Sequence, residues 1–413
     1  MKRRLGLRGV SIACLAGAVF FLTHANVLSA ANNDTHFKRE PIMDNLYPIL
    51  FANTLQNNLT LATVHAVGKE AWRKRRAEIE LGAAGYLLVS HSTVFTVAVE
   101  RITAIDANGK ELWSHNKWTN SPVFLFDKVL YCQSYRSDDK LERIDLHTGT
   151  ILKADIALPL TGGKEKNIFF EPHENDFIAC SQLPASQVLK GGKPQSYPPH
   201  YSIYREPYDV WDFIWIAGEM EKIVFPIIHL RDKKLLCVGT SQSMVLYNSA
   251  PSLREPQPVG RFNFPLSHTK KVCADGNEML YFAGKSQKAE ELVCCDDKGK
   301  VHWKWQRAGI TESTVPLVAG SNGEIILVSG RTICCVKDGK LIWELSTGLQ
   351  DPKYMTATSD GCALVAAGDV LYCCKDGNEI FSFDAGSTII APPVVDADGC
   401  IYLLTPTEVI KVL

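Results

Sequence analysis

The sequence predicts an all-β chain built from repeated four-stranded units, and three observations carry that prediction. A turn glycine followed by a polar residue and then an aromatic recurs every 41, 40, 40 and 38 residues, at Gly68, Gly109 and Gly149 and again at Gly299, Gly339 and Gly377. The apolar segments between these glycines are short, as at 324–328, 363–366 and 400–404, and are bounded by Gly, Asp and Asn, as strands are. Asp-Gly, Asn-Gly and Lys-Gly pairs supply the positive φ that tight hairpins need. A four-stranded unit of about 40 residues is the signature of a β-propeller blade.

Taken in order, the chain opens with a secretory leader. Lys2, Arg3, Arg4 and Arg8 precede an apolar run from Val10 to Leu22, and small residues follow at Ser29, Ala30 and Ala31. Residues 1–30 are therefore expected to be removed, which takes the net charge from −1 to −5. The apolar run is short for a membrane span, and no later segment is long and apolar enough for one. Cys14 follows Ser11-Ile12-Ala13 without the leucine of a lipoprotein site, so lipidation is not expected. Residues 31–60 read as a lead-in segment and 61–413 as the propeller.

Inside the propeller the repeat appears as "AVGKEAW" ending at Trp72, "ITAIDANGKELW" at Trp113, "RIDLHTGTILK" around Gly149, "VCCDDKGKVHW" at Trp303, "TICCVKDGKLIW" at Trp343 and "LYCCKDGNEIF" at Phe381. The 150 residues between Gly149 and Gly299 leave room for two further units, one enlarged. The starts of the first three strands fall near Gly85, Ser121, Asn167, Ile223, Phe264, Val315, Tyr354 and Ala391. Outer strands follow Gly68, Gly109, Gly149, Asp209, Val259, Gly299, Gly339 and Gly377. The two series are offset by one unit. Pairing the N-terminal outer strand with the last C-terminal strand closes the ring and hides sheet edges that invite aggregation. About eight blades result. Seven remains an alternative, because the third and fourth units are weakly marked.

The doublets Cys294-Cys295, Cys334-Cys335 and Cys373-Cys374 raise redox and metal chemistry at once. Measured from the turn glycine, the first two doublets occupy the place of Ala104-Ile105, an inner strand packed on both faces. Free cysteine there is a small hydrophobe. Consecutive side chains on a strand point to opposite faces, which opposes a bond within a doublet. No CxxC spacing or adjacent histidine suggests a metal set. The sequence therefore nominates no catalytic and no metal-binding residue. Twelve cysteines after the leader would ordinarily imply disulfides in an exported chain; blade spacing argues for few.

"ITAIDANGKELW", "RIDLHTGTILK" and "APPVVDADGCIYLL" resemble the repeat of the pyrroloquinoline-quinone (PQQ)-type β-propellers, over most of residues 60–413. The resemblance implies packing roles for Gly109, Gly149, Gly299, Gly339 and Gly377 in turns, and for Trp72, Trp113, Trp303 and Trp343 as wedges between blades. It also implies two functions. Some relatives are quinoprotein dehydrogenases with a calcium-bound quinone in the channel, and some of those carry a vicinal disulfide over it. Another is similar to the envelope propeller that assists outer-membrane protein assembly. A shared fold does not choose between them.

The region 182–215 departs from the repeat. It enlarges the third unit, its prolines are expected to make a semi-rigid loop before the outer strand, and it concentrates Tyr197, Tyr201, Tyr204, Tyr208 and Trp211. Aromatic groups on a long loop suit peptide or glycan binding. Trp211, Phe213 and Trp215 also alternate as a packed strand does. Glu171, His173, Glu174 and Asp176 read as a solvated hairpin turn, and the cationic run 72–78 as charges on an outer strand. The expectation is an exported, non-catalytic binding or scaffold module with a protein or peptide partner in the envelope, no cofactor and no nucleic-acid partner. The alternative is a PQQ-dependent oxidoreductase, with PQQ and calcium as cofactors.

Overall fold

In the computed structural model of the protein, Ile42–Leu413 forms one compact unit, separate from Met1–Pro41. The described residues are 45–47, 59–60, 62–75, 85–98, 100–117, 123–126, 129–133, 140–157, 167–173, 176–183, 186–190, 193–197, 200–205, 210–215, 225, 228–230, 232–248, 258–320, 323–346 and 348–413, and within 153–215 they are described by backbone alone. The leader lies outside them. Among the described residues there is no helix.

Eight sheets of four or five strands follow one another along the chain, numbered here as blades 1 to 8. Blade 1 is Tyr86–Ser90, Thr93–Val97, Arg101–Ile105 and Glu111–Asn116. Blade 2 is Val123–Phe126, Val129–Gln133, Lys140–Asp145 and Ile151–Ala157. Blade 3 runs from Asn167–His173 to Val210–Trp215, blade 4 from Ile228–Leu230 to Pro258–Asn263, and blade 5 from His268–Ala274 to Val301–Gln306. Blade 6 runs from Val318–Ala319 to Lys340–Ser346 and blade 7 from Pro352–Thr358 to Asn378–Asp384. Blade 8 takes Val394–Val395, Ile401–Leu404 and Glu408–Val412 from the C-terminal end and Glu70–Arg75 from the N-terminal side. Glu70–Arg75 pairs antiparallel with Glu408–Val412, as the offset between the two strand series requires.

Inner and outer strands differ because their surroundings differ. Thr93–Val97 and Arg101–Ile105 are buried at four consecutive positions each, as expected where blades cover both faces. Outer strands such as Glu111–Asn116 and Val301–Gln306 alternate exposed and half-buried residues, with one face toward solvent. Two parts of the lead-in add to innermost strands. Asn45–Tyr47 pairs with Tyr86–Ser90 of blade 1, and Leu59–Thr60 pairs in parallel with Pro352–Thr358 of blade 7.

Neighbouring blades are joined by one repeated contact. In six blades the outer-strand aromatic presses on the turn glycine of the next: Phe262 on Gly299, Trp303 on Gly339, Trp343 on Gly377, Phe381 on Gly68, Trp72 on Gly109 and Trp113 on Gly149. These glycines have φ between 68° and 82°, and a Cβ on any of them would lie 2.6–3.2 Å from the aromatic side chain. Only glycine combines that backbone with that approach. The indoles of Trp72 and Trp113 also donate to the carbonyls of Ala107 and Leu146, each at 2.9 Å, so their one polar atom is satisfied.

Blade 8 also holds a buried charge pair. Asp396 is fully buried; its carboxylate accepts the Tyr402 hydroxyl at 2.9 Å and lies 3.6 Å from the Lys411 ammonium. Its other oxygen caps the amides of Asp398 and Cys400, which fixes the turn between the first two strands. Asp275 and Tyr281 repeat the arrangement in blade 5 at the same six-residue spacing.

Candidate functional site

The structure seals the cysteine doublets into the cores between blades. Cys294 packs with Cys334, Leu327 and Trp303 between blades 5 and 6, while Cys295 packs with Leu246, Phe282 and Val293 between blades 4 and 5. Consecutive sulfurs therefore face opposite blades. The eleven cysteines with described side chains are all free thiols. Burial pushes the thiols of Cys294, Cys295, Cys335 and Cys374 up to about 12 and that of Cys334 to about 11, so they carry no thiolate at neutral pH and are poor nucleophiles.

Their register corrects one detail of the sequence alignment. Ala104, Cys294, Cys335 and Cys373 are the residues opposite Trp113, Trp303, Trp343 and Phe381. Thus Cys335, not Cys334, matches Ala104, and the three doublets are not equivalent. The turns explain the slip. Blades 6 and 7 use two-residue turns, Asp338-Gly339 and Asp376-Gly377, with φ of 50° followed by 73° or 77°. Blades 1 and 5 use longer turns, in which Asp106 or Asp296 caps two amides. Cysteine serves on either face because both faces are buried.

The part of 182–215 expected as a loop before the outer strand is largely strand as well. Ser186–Lys190 and Lys193–Tyr197 form an antiparallel hairpin inserted between the second and third strands of blade 3. The period-two pattern of the segment favours strands, and its prolines do not prevent them. Tyr197 ends the hairpin, opposite Ser186. Tyr201 and Tyr204 lie on the third strand, His200–Arg205, and Trp211 stands opposite Tyr204 on the outer strand. Tyr208 lies outside the described residues. Glu171 and His173 end the first strand of blade 3, with His173 opposite Asp176, so that segment is a hairpin as expected. In the cationic run, Arg73 donates to Glu408 at 2.7 Å, to Glu70 at 2.9 Å and to the carbonyl of Ala385 at 2.9 Å, tying the outer strand of blade 8 in place.

Sequence spacing did not single out one group that the fold assembles. His115 on the outer strand of blade 1 meets Cys132 and Glu142 on the second and third strands of blade 2. His115 Nε2 lies 2.8 Å from a Glu142 carboxylate oxygen, and Cys132 stands directly opposite Glu142 across the ladder. Burial pushes the Cys132 thiol well above its ordinary value; the charge of Glu142 adds to this, and Lys117 opposes it. No local motif links positions 115, 132 and 142; only the stacking of two blades brings them together.

The quinone-calcium site of the dehydrogenases calls for a cluster of oxygen ligands, because calcium takes six to eight oxygens. Among the described residues, the one group of three or more metal-ligating side chains is His115, Cys132 and Glu142, a mixed nitrogen, sulfur and oxygen set between blades. That donor set does not fit calcium. The doublets, split between opposite cores, do not fit a vicinal lid over a quinone either.

Among solved structures the chain is similar to two quinohemoprotein alcohol dehydrogenases. The Comamonas testosteroni enzyme superposes with a TM-score of 0.59 at 10% identity, over 92% of this chain and 83% of that one. ADHIIG from Pseudomonas putida HK5 gives 0.58 at 9% identity, over 89% and 80%. The fold is a β-propeller. At this identity the likeness establishes the fold and not the chemistry. No family model matches the sequence, and no curated protein does.

Proposed function

We propose that the protein is an exported, non-catalytic β-propeller that holds a protein, peptide or glycan partner in the cell envelope. The observation that carries this reading is the extra hairpin of blade 3, which carries Tyr197 and leads into the strands of Tyr201, Tyr204 and Trp211. An insertion on a repeated scaffold that leads into strands bearing aromatic residues is where binding is most economically built. Three further features support it. The leader in residues 1–30 suits export to the periplasm or beyond. The thiols of the doublets are buried, with raised pKa values. Lead-in strands also pair with innermost strands of blades 1 and 7.

Replacing 186–197 by a two-residue turn tests the reading. The shortened protein is expected to keep its β-sheet circular dichroism and a cooperative thermal transition, and to lose the envelope species that the full chain retains in pull-down. Retention of the same species by both proteins overturns the assignment to blade 3. Incubation with PQQ and calcium separates the alternative. The expected result is no new quinone absorbance and no thermal shift; a saturable shift with one quinone per chain makes the protein a quinoprotein.

A further inference from the structure

The blade repeat provides an internal control for His115, Cys132 and Glu142. Each interface between blades has three matching stations: the outer-strand residue two beyond the wedge aromatic, and a cross-strand pair on the second and third strands of the next blade. Between blades 4 and 5 these stations are Phe264, Phe282 and Val293, with the two rings 5.8 Å apart. Between blades 5 and 6 they are Trp305, Leu327 and Cys334, and between blades 7 and 8 they are Phe383, Leu403 and Ile410. At these three interfaces the stations are apolar, whereas between blades 8 and 1 they are Lys74, Thr96 and Thr103. Between blades 1 and 2 the same stations carry an imidazole, a thiol and a carboxylate.

A carboxylate and an imidazole at these stations need polar compensation that an apolar set does not. Cys132 is fully buried and Glu142 is 5% exposed, within a core that includes Ile102, Leu130 and Ile144. A carboxylate there must be compensated by charge and hydrogen bonds. His115 supplies one hydrogen bond. All three ligand atoms lie within 4.8 Å of one another, on strands held from both sides. Zinc bonds of about 2.0–2.3 Å put tetrahedral ligand atoms roughly 3.3–3.8 Å apart, so an ion draws the wider pairs in by up to about 1 Å and parts His115 Nε2 from the Glu142 oxygen, now 2.8 Å away, by about 0.5 Å.

We propose that His115, Cys132 and Glu142 form a binding site for a divalent transition-metal ion of the zinc class, clamping blade 1 to blade 2. A nitrogen, sulfur and oxygen set of three selects zinc or cobalt over calcium and magnesium, which take oxygen. On binding, the Cys132 proton leaves to solvent and the sulfur coordinates as thiolate. The ion's two positive charges then balance the thiolate and the Glu142 carboxylate. The fourth tetrahedral position is left for water or a small ligand. The site is distinct from the blade 3 hairpin and does not depend on the binding reading above.

Cobalt(II) titration of the full-length, chelator-treated protein tests the proposal. Expected are a near-ultraviolet thiolate-to-cobalt charge-transfer band and visible bands of a tetrahedral ion, saturating at one cobalt per chain and displaced by zinc. Cys132→Ser should abolish the charge-transfer band, and His115→Phe, which copies the Phe264 station, should abolish saturable binding while keeping a cooperative thermal transition. Zinc should raise the melting temperature of the wild type and leave that of His115→Phe unchanged. No saturable band in the wild type overturns the proposal, as does a band that survives in folded Cys132→Ser. The wild-type titration decides even if a variant does not fold.

Discussion

Lys271 lies on the innermost strand of blade 5, and its buried ammonium has no hydrogen-bond partner among the described residues. Burial lowers its pKa from 10.5 to about 8, against a smaller opposing pull from Glu290. Between those two values the unfolded chain holds a proton that the folded chain has released. Stability therefore rises with pH through that window, and the full penalty of the buried charge is felt below it. Lys271→Met removes the penalty and keeps the stem. Its gain over wild type in urea denaturation is expected to be larger near pH 7 than near pH 10 by roughly 2 kcal/mol; a gap that does not change with pH contradicts the assignment. No sequence signal marks Lys271 as unusual, since its neighbours Lys270 and Val272 read as an ordinary edge strand. The cysteine doublets are the opposite case. Their apolar flanks and their place just before a turn identify them as core, which is where they lie.

Turn and wedge form the unit from which six of the blade interfaces are built. Gly109 has φ of 82°, and a Cβ there would lie 3.0 Å from the Trp72 ring. Gly361 has a similar φ of 87° with nothing within 4 Å. Gly361→Ala therefore measures backbone strain alone, about 1 kcal/mol or more. Gly109→Ala adds overpacking between blades 8 and 1, for a further loss of about 1–3 kcal/mol in chemical denaturation. Equal losses would mean that the wedge contributes nothing. These elements were legible because a glycine and an aromatic recurring at fixed spacing point to a turn and to the ring that packs beside it. Register in blades 6 and 7 was not, because a turn shorter by one residue leaves the spacing from glycine to cysteine ambiguous. The blade 3 hairpin was hidden by Pro194, Pro198 and Pro199, which read as loop. Proline in fact suits a hairpin at the edge of a sheet.

At the scale of the molecule, eight sheets follow in chain order, and the last borrows its outer strand from the other end of the chain. The offset between outer-strand and inner-strand series made that exchange readable. The meeting of His115, Cys132 and Glu142 was not readable, since it depends on how one blade stacks on the next rather than on any spacing along the chain. The exchange has a mechanical consequence. Glu70–Arg75 and Glu408–Val412 share one ladder, reinforced by Arg73 and by reciprocal backbone bonds between Lys69 and Leu413 at 2.8 and 2.6 Å. Neither strand can open without exposing the edge of the other. Native-state hydrogen exchange tests this most directly. The amides of 70–75 and 408–412 that bond across this ladder are expected to exchange together, at the rate set by global unfolding. Fast exchange across 70–75 while 408–412 stays protected would show that the N-terminal strand does not complete the last blade.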